Sequence, residues 1–224
     1  MNYYISDTHF GYQKIAEQSG FSDIEAYNEA LIRRINLRVA DGDTLFLLGD
    51  LSCYQQDPSE YIERLNGRKI LITGNHDARW IKHRHVRKLF SGIHSYLLVR
   101  DAGTKIFLCH YPMAEWDGTF KGYWHFYGHI HDEKGIGAER IMRYVPRAVN
   151  VSIQKIGWPK TAEVLFEIRR SEEEKMSKYC PIAQRPVLYL DCLECEEKIC
   201  KEKEAKEQWN HQKFSSGSGQ SSGA

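Results

Sequence analysis

Residues 45–77 read LFLLGDLSCYQQDPSEYIERLNGRKILITGNHD. The apolar run Leu45 to Leu48 gives way to Gly49-Asp50, and the run Ile70 to Ile72 gives way to Gly74-Asn75-His76-Asp77. Apolar runs this short, bounded by turn residues, are the pattern of buried strands. Between them a helix is predicted from Pro58 or Ser59 to Leu65, stopped by Asn66-Gly67. The stretch therefore alternates strand, polar loop, helix, strand and polar loop, which is the grammar of an α/β domain.

The same device recurs on either side. Asp7-Thr8-His9 follows Tyr3-Tyr4-Ile5, Cys109-His110 follows Ile106-Phe107-Leu108, and Gly128-His129-Ile130-His131 follows Phe126-Tyr127. Loops leaving neighbouring strand ends meet on one rim of a sheet, so ligands far apart in sequence can meet in space. Ile24, Tyr27, Leu31, Ile35 and Val39 recur at helical spacing, with Ser22 or Asp23 as cap and Asp41-Gly42-Asp43 as stop, and predict a helix over one sheet face. After Asn75-His76-Asp77 a helix-like stretch is expected to Phe90. A hairpin through Asp101-Ala102-Gly103-Thr104 should join strands near Ser95–Arg100 and Lys105–Cys109. Strands near Val145–Val149 and Glu163–Ile168 should finish the domain.

Bulk properties exclude more than they assign. The 224 residues, 42% of them hydrophobic, suit an ordinary globular chain with one sizeable core and an appendage. A formal net charge of +1 gives no global pull toward nucleic acid or acidic membranes. No apolar stretch approaches the ~20 residues of a membrane span, and no basic leader precedes Asp7, so a cytoplasmic protein with no membrane partner is expected. In that reducing compartment the six cysteines read as thiols or metal ligands rather than disulfides.

Singly, an Asp-x-His or a lone His is an ordinary turn, cap or core residue. In fixed order, Asp-x-His, Gly-Asp, Gly-Asn-His-Asp, His and Gly-His-x-His form the motif set of the calcineurin-like metallophosphoesterases. Over residues 1 to 168 the chain resembles small bacterial and phage members of that superfamily. The resemblance implies a two-sheet β-sandwich flanked by helices. It assigns Asp7, His9 and His131 to one divalent ion, Asn75, His110 and His129 to a second, and Asp50 to both. Imidazole and carboxylate suit Mn, Fe, Zn or Ni, and a shared carboxylate screens two dications about 3.5–4 Å apart. Gly49, Gly74 and Gly128 each precede a proposed ligand, where a sharp turn off the strand is expected. Cys109 should point away from His110 into the core.

The implied reaction is phosphoester hydrolysis by a hydroxide shared between two ions, with His76 as general acid and Asp77 orienting it or capping the following helix. One departure bears on substrate. Many members have an Asp three residues after the Gly-Asp pair, and the serine/threonine phosphatases have Asp-Arg-Gly there, where this chain has Cys53-Tyr54-Gln55. A phosphodiester or nucleotide is therefore expected rather than a phosphoprotein. Arg79, Lys82, His83, Arg84, His85, Arg87 and Lys88 form a basic segment that could grip single-stranded nucleic acid, with Trp80 stacking on a base; the plainer reading is a surface helix with Trp80, Ile81, Leu89 and Phe90 buried. Tyr111, Trp116, Tyr123, Trp124 and His125 either line the cleft or belong to the core.

Past Arg170, Ser171-Glu172-Glu173-Glu174-Lys175 reads as a solvated linker or the first turn of a helix. Cys180, Cys192, Cys195 and Cys200 then suit a small module closed by a structural zinc, with unpaired thiols or an iron-sulfur cluster as the other readings. The expected division is 1–170 catalytic, 171–208 four-cysteine module, and 209–224 Ser/Gly-rich flexible tail. Two other functional classes share these features: a non-catalytic metal-binding interaction module of the same fold, and a nucleic-acid-processing nuclease. A module without catalysis should lack ligands, whereas all seven proposed ligands and His76 are present.

Overall fold

A computed structural model describes residues 1–53, 57–132, 137–180 and 184–188. Strands β1 (Asn2–Ile5), β2 (Thr44–Leu47), β3 (Arg68–Ile72) and β4 (Gly92–His94) pair in that order, all parallel. Strands β5 (Tyr96–Asp101), β6 (Thr104–Cys109), β7 (Trp124–Tyr127) and β8 (Ala148–Asn150) form a second sheet, in which only the β5–β6 pair is antiparallel. Ala102 and Gly103 alone link β5 to β6, both at positive φ (46° and 76°), the geometry of a tight hairpin turn.

The alternation of side chains along each strand assigns the cores. Tyr4, Phe46, Leu48 and Ile72 point from the first sheet toward Ile106, Leu108, Phe126 and Val149 of the second, and together they fill the space between the sheets. Ile5, Leu45, Leu47 and Leu71 face the opposite way. Phe107, Tyr127 and Ala148 form a third cluster on the outer face of the second sheet. Both faces of the central strands are buried, which is why they read as continuous apolar runs.

Seven α-helices complete the described chain: α1 (Gln13–Gln18), α2 (Ile24–Asn36), α3 (Ser59–Glu63), α4 (Arg84–Arg87), α5 (Ala138–Met142), α6 (Ile153–Ile156) and α7 (Ala162–Met176). In α2, Asp23 caps the start by accepting the Glu25 and Ala26 amides, and Tyr27, Leu31, Ile32 and Ile35 are buried against the first sheet. Val39 joins the same core just past the helix. The stretch after Asp77 expected to be helical up to Phe90 breaks at His83, whose backbone is extended, leaving a 3₁₀ turn at Trp80–Lys82 and the short α4.

The strand expected at Glu163–Ile168 is instead the start of α7. Val164, Phe166 and Ile168 alternate as a strand would, but the buried residues are Ala162, Leu165, Phe166 and Arg169, at helical spacing, while Val164 is exposed. The helix continues through Ser171–Lys175, where a linker or a first helical turn was expected. The chain divides into the units Met1–Arg169 and Arg170–Ala224. In the second, β9 (Ser177–Cys180) and β10 (Arg185–Leu188) pair antiparallel, with Cys180 opposite Arg185. Cys192, Cys195 and Cys200 of the expected zinc site, and the 209–224 tail, lie outside the described residues. Among the described residues no helix is long and apolar enough to cross a membrane.

Candidate metal centre

Five loops carry the proposed ligands, and backbone bonds stitch them together. The Asp7 and His9 amides donate to the Gly49 and Asp50 carbonyls, tying the loop after β1 to the loop after β2, and the Gly128 amide donates to the His110 carbonyl, tying the loop after β7 to that after β6. Asp7, His9, Asp50, His129 and His131 all have left-handed backbones, with φ between 46° and 73°, among only eight non-glycine residues in that region in the described chain. Such conformations cost about 1–3 kcal/mol each and persist where the surroundings over-determine them. Here the loops turn at the ligand-bearing residues themselves.

The glycines therefore serve a purpose beyond the expected turn. Gly49 is left-handed, but Gly74 and Gly128 are not. A Cβ at Gly74 would lie 2.3 Å from Asp50 Oδ1, and one at Gly128 would lie 2.4 Å from Asp7 Oδ2. Only glycine lets the backbone approach the carboxylates this closely.

The side chains converge in two groups, Asp7 with His9 and His131, and Asp50 with His110 and His129, each with its N and O atoms within 4.8 Å of one another. In the first, His9 Nε2 and His131 Nε2 are 3.0 Å apart and His131 Nε2 is 3.6 Å from Asp7 Oδ1. In the second, His110 Nε2 lies 3.4 Å from Asp50 Oδ2 and 3.3 Å from Asn75 Oδ1, which brings Asn75 to this group. The His110 Nδ1 faces the Leu48 carbonyl at 2.7 Å, so Nδ1 carries the proton there and Nε2 is directed at the cluster. His76 stands between the groups: its ring is 5.3 Å from that of His9, and its Nε2 is 3.8 Å from Asp50 Oδ2.

The electrostatics suit a cation. Burial lowers the His9 imidazole to about 4, against the pull of Asp7 and Asp50. Burial also opposes protonation of His110, yet the Asp50 hydrogen bond and the Asp7 and Asp50 charges raise it to about 9. Burial likewise opposes ionisation of Asp50, but His110 and the His76 amide hold its carboxyl below the usual range. Burial and the charge of His110 depress His129. Proton and metal thus compete for His110 Nε2. The paired imidazole nitrogens, the carboxylates and the glycine cradles fit two borderline divalent ions.

Asp77 does something the sequence did not suggest. Fully buried, its Oδ2 accepts the amides of Asp50 (3.1 Å) and Gly74 (2.7 Å), and its Oδ1 accepts that of Leu51 (3.1 Å). The carboxylate is thus a strut between the loops after β2 and β3. Burial pushes it up to about 7, against those amides.

In the basic segment, burial separates the aromatic residue from the charged ones. Trp80 is 2% exposed and cannot stack on a base, while Arg79, Lys82 and Arg84 are exposed. Trp116, Trp124 and His125 are core, and Tyr123 is partly exposed. Tyr111 alone of the flanking aromatics packs on the centre, its ring 5.1 Å from His110 and 5.0 Å from His129, with its side chain exposed. Cys109 packs beside the outer cluster of the second sheet, as expected from strand alternation.

Sequence reasoning missed the residues around Asp7. Ser6 and Ser152 both donate to Asp7 Oδ2, at 2.6 and 2.8 Å, Asn150 Nδ2 donates to the His131 carbonyl, and Gln154 Nε2 donates to the Asp7 carbonyl. The signal was the polar residues at 150 and 152 interleaved with buried Val149 and Val151.

The calcineurin-like phosphoesterase family model matches residues 3–148. An uncharacterised protein of Methanocaldococcus jannaschii is 30% identical over 172 residues, covering 74% of this chain and 89% of its own. The gene 66 protein of Mycobacterium phage L5 is 30% identical over 129 residues, covering 49% of this chain and 62% of its own. Among solved structures, a protein of unknown function from Aquifex aeolicus matches with a TM-score of 0.58 at 24% identity, over 75% of this chain and 98% of its own, a likeness of fold.

Proposed function

The chain belongs to the calcineurin-like phosphoesterase family, and we propose that it is a metal-dependent hydrolase of a phosphodiester or nucleotide. The observation that carries this reading is the convergence of two His/Asp groups on one rim of the fold. Asp7, His9 and His131 would hold one ion, Asn75, His110 and His129 the other, and Asp50 would be shared. Two such ions, of Mn, Fe, Zn or Ni, would acidify a water and polarise the phosphoryl oxygens.

The chain's own groups do the rest. His110 is fixed by the Leu48 carbonyl to present Nε2, and Asp50 is fixed by the His76 amide on Oδ1 (2.9 Å). His76, standing between the two groups, is the proton donor to the leaving oxygen. Asp77 supports that geometry indirectly, by holding the backbones of Asp50 and Gly74 in register. Tyr111 offers an aromatic wall for the leaving group. Arg79, Lys82 and Arg84, exposed just beyond His76, would bind further phosphates of a nucleotide or single strand. That same basic face favours the second reading, a nuclease. The absence of an Arg in the loop after Asp50 argues against phosphoprotein substrates.

We place the protein in the cytoplasm. Segment 171–208 is proposed as a module held by zinc on Cys180, Cys192, Cys195 and Cys200, with 1–170 as the catalytic domain and 209–224 as a Ser/Gly-rich tail.

The test is hydrolysis of bis-p-nitrophenyl phosphate with added manganese. The parent should be active, and His76→Ala should lose about 10²–10⁴-fold in kcat while still binding metal. No hydrolysis of this diester, nucleotides or oligonucleotides by a manganese-loaded parent would favour the non-catalytic interaction module. Robust turnover of phosphopeptides without any of diesters would overturn the substrate class.

A further inference from the structure

We propose that the turn from Asn150 to Gln154 is a clamp that positions the Asp7 group, and that Ser152, with Ser6, determines which oxygen of Asp7 faces the cation. The inference rests on the metal-centre reading above and adds residues beyond the 3–148 stretch that the family model matches.

The chain leaves β8 beside the loop after β1, locked there by the Ser6 amide on the Val151 carbonyl and the Ile153 amide on the Ser6 carbonyl. From that base three side chains at alternate positions reach the same loop system. Asn150 Nδ2 donates to the His131 carbonyl at 2.6 Å, while its Oδ1 accepts the Ser152 amide at 2.9 Å. Ser152 Oγ donates to Asp7 Oδ2 at 2.8 Å, and Gln154 Nε2 donates to the Asp7 carbonyl at 2.9 Å. One turn thereby holds both ends of the first group, Asp7 and His131.

The two oxygens of Asp7 are left unequal. Oδ2 accepts two hydroxyls, from Ser6 at 2.6 Å and Ser152 at 2.8 Å, and shares the His129 amide with Oδ1 at 3.1 Å. A carboxylate oxygen has about two lone-pair sites, so Oδ2 is saturated. Oδ1, with only the shared amide, faces His131 Nε2 at 3.6 Å. Ser6 and Ser152 are fully buried, so no water can substitute for either hydroxyl without rearrangement. They are positioning residues: they would act on the metal through Asp7.

Manganese binding to the metal-stripped full chain, followed by titration calorimetry and by the EPR signal of free manganese, tests this. The parent should bind two ions. Ser152→Ala should weaken one of them by about 10–100-fold, the range for losing a hydrogen bond to a metal ligand, and leave the other unchanged. The weakened ion should be the one that His9→Ala removes. Ser152→Thr, which keeps the hydroxyl, should restore it, and Ser6→Ala should reproduce the selective loss if Ser152→Ala fails to fold. Two unchanged ions in both Ala variants, or equal weakening of both ions, would overturn the clamp while leaving the metal centre standing. A parent that binds no manganese would remove the metal-centre reading and the clamp with it.

Discussion

Replacing Asp77 separates a strut from a partner of the proton donor. Its carboxylate accepts three backbone amides that belong to two different loops, and it is fully buried. Asp77→Ala strands all three donors. Each buried unsatisfied group costs about 1–3 kcal/mol, and allowing for partial hydration through the gap the sum is about 3–5 kcal/mol. Asp77→Asn can place its one carbonyl oxygen where Oδ2 sits, keeping the Asp50 and Gly74 amides and losing Leu51, so its cost should be about 1–3 kcal/mol. Against the ~5–15 kcal/mol that stabilises a typical domain, the Ala variant is heavily compromised and the Asn variant is not. Urea unfolding of the metal-stripped protein, read by tryptophan fluorescence, gives both numbers, and manganese titration of the same samples shows whether the Asp50 group weakens in parallel. If both variants cost under about 0.5 kcal/mol, the range of ordinary surface changes, while the pH profile of hydrolysis shifts as in His76→Ala, Asp77 acts through His76 and the strut is wrong.

Three further outcomes follow from the same geometry. Gly128→Ala places a methyl 2.4 Å from Asp7 Oδ2 and should lose the Asp7 ion first, seen as one ion rather than two by calorimetry, whereas Gly74→Ala places one 2.3 Å from Asp50 Oδ1, the carboxylate proposed to serve both ions, and should weaken both. Burial lowers the His125 imidazole to about 4, against the Phe107 and Tyr111 carbonyls beside its nitrogens. Its contribution is therefore complete above the unfolded value of 6.5 and is lost as pH falls toward 4. Between those limits the parent should lose on the order of 3 kcal/mol that His125→Gln does not, measurable as the difference between their pH-dependent urea curves. Leu108→Ala, a truncation of a fully buried side chain between the sheets, should cost about 2–5 kcal/mol in unfolding without changing metal stoichiometry.

How far the sequence could be read depended on whether a residue's neighbours in space were also its neighbours in pattern. Strands β1, β2, β3, β6 and β7 were foreshadowed by apolar runs with His, Asp or Asn after them, because strands buried on both faces leave an uninterrupted signal; β4, three residues long and only half-buried, left none. Glu163–Ile168 misled because Val164, an exposed helix residue, completes an apparent alternation with Phe166 and Ile168. The seven proposed ligands could be picked out because their motifs stand in the order that resembles the family's; six of them form the two His/Asp groups, and Asn75 reaches His110. Ser152 could not be picked out. A serine is unremarked in any sequence, and the carboxylate it serves lies 145 positions away. Asp77 was noticed, but its use depends on which amides face it, and those belong to loops whose approach only the packed sheet determines.

The left-handed backbones at Asp7, His9, Asp50, His129 and His131 have a consequence for anyone engineering this protein. Elsewhere in a chain the remedy for such a position is glycine, which relaxes the torsion at little loss. Here the remedy would erase the very imidazole or carboxylate that the awkward torsion exists to aim. Programmes that select variants for heat resistance alone should therefore drift toward these five codons, and each step gained there would be a step toward an inert, sturdier shell.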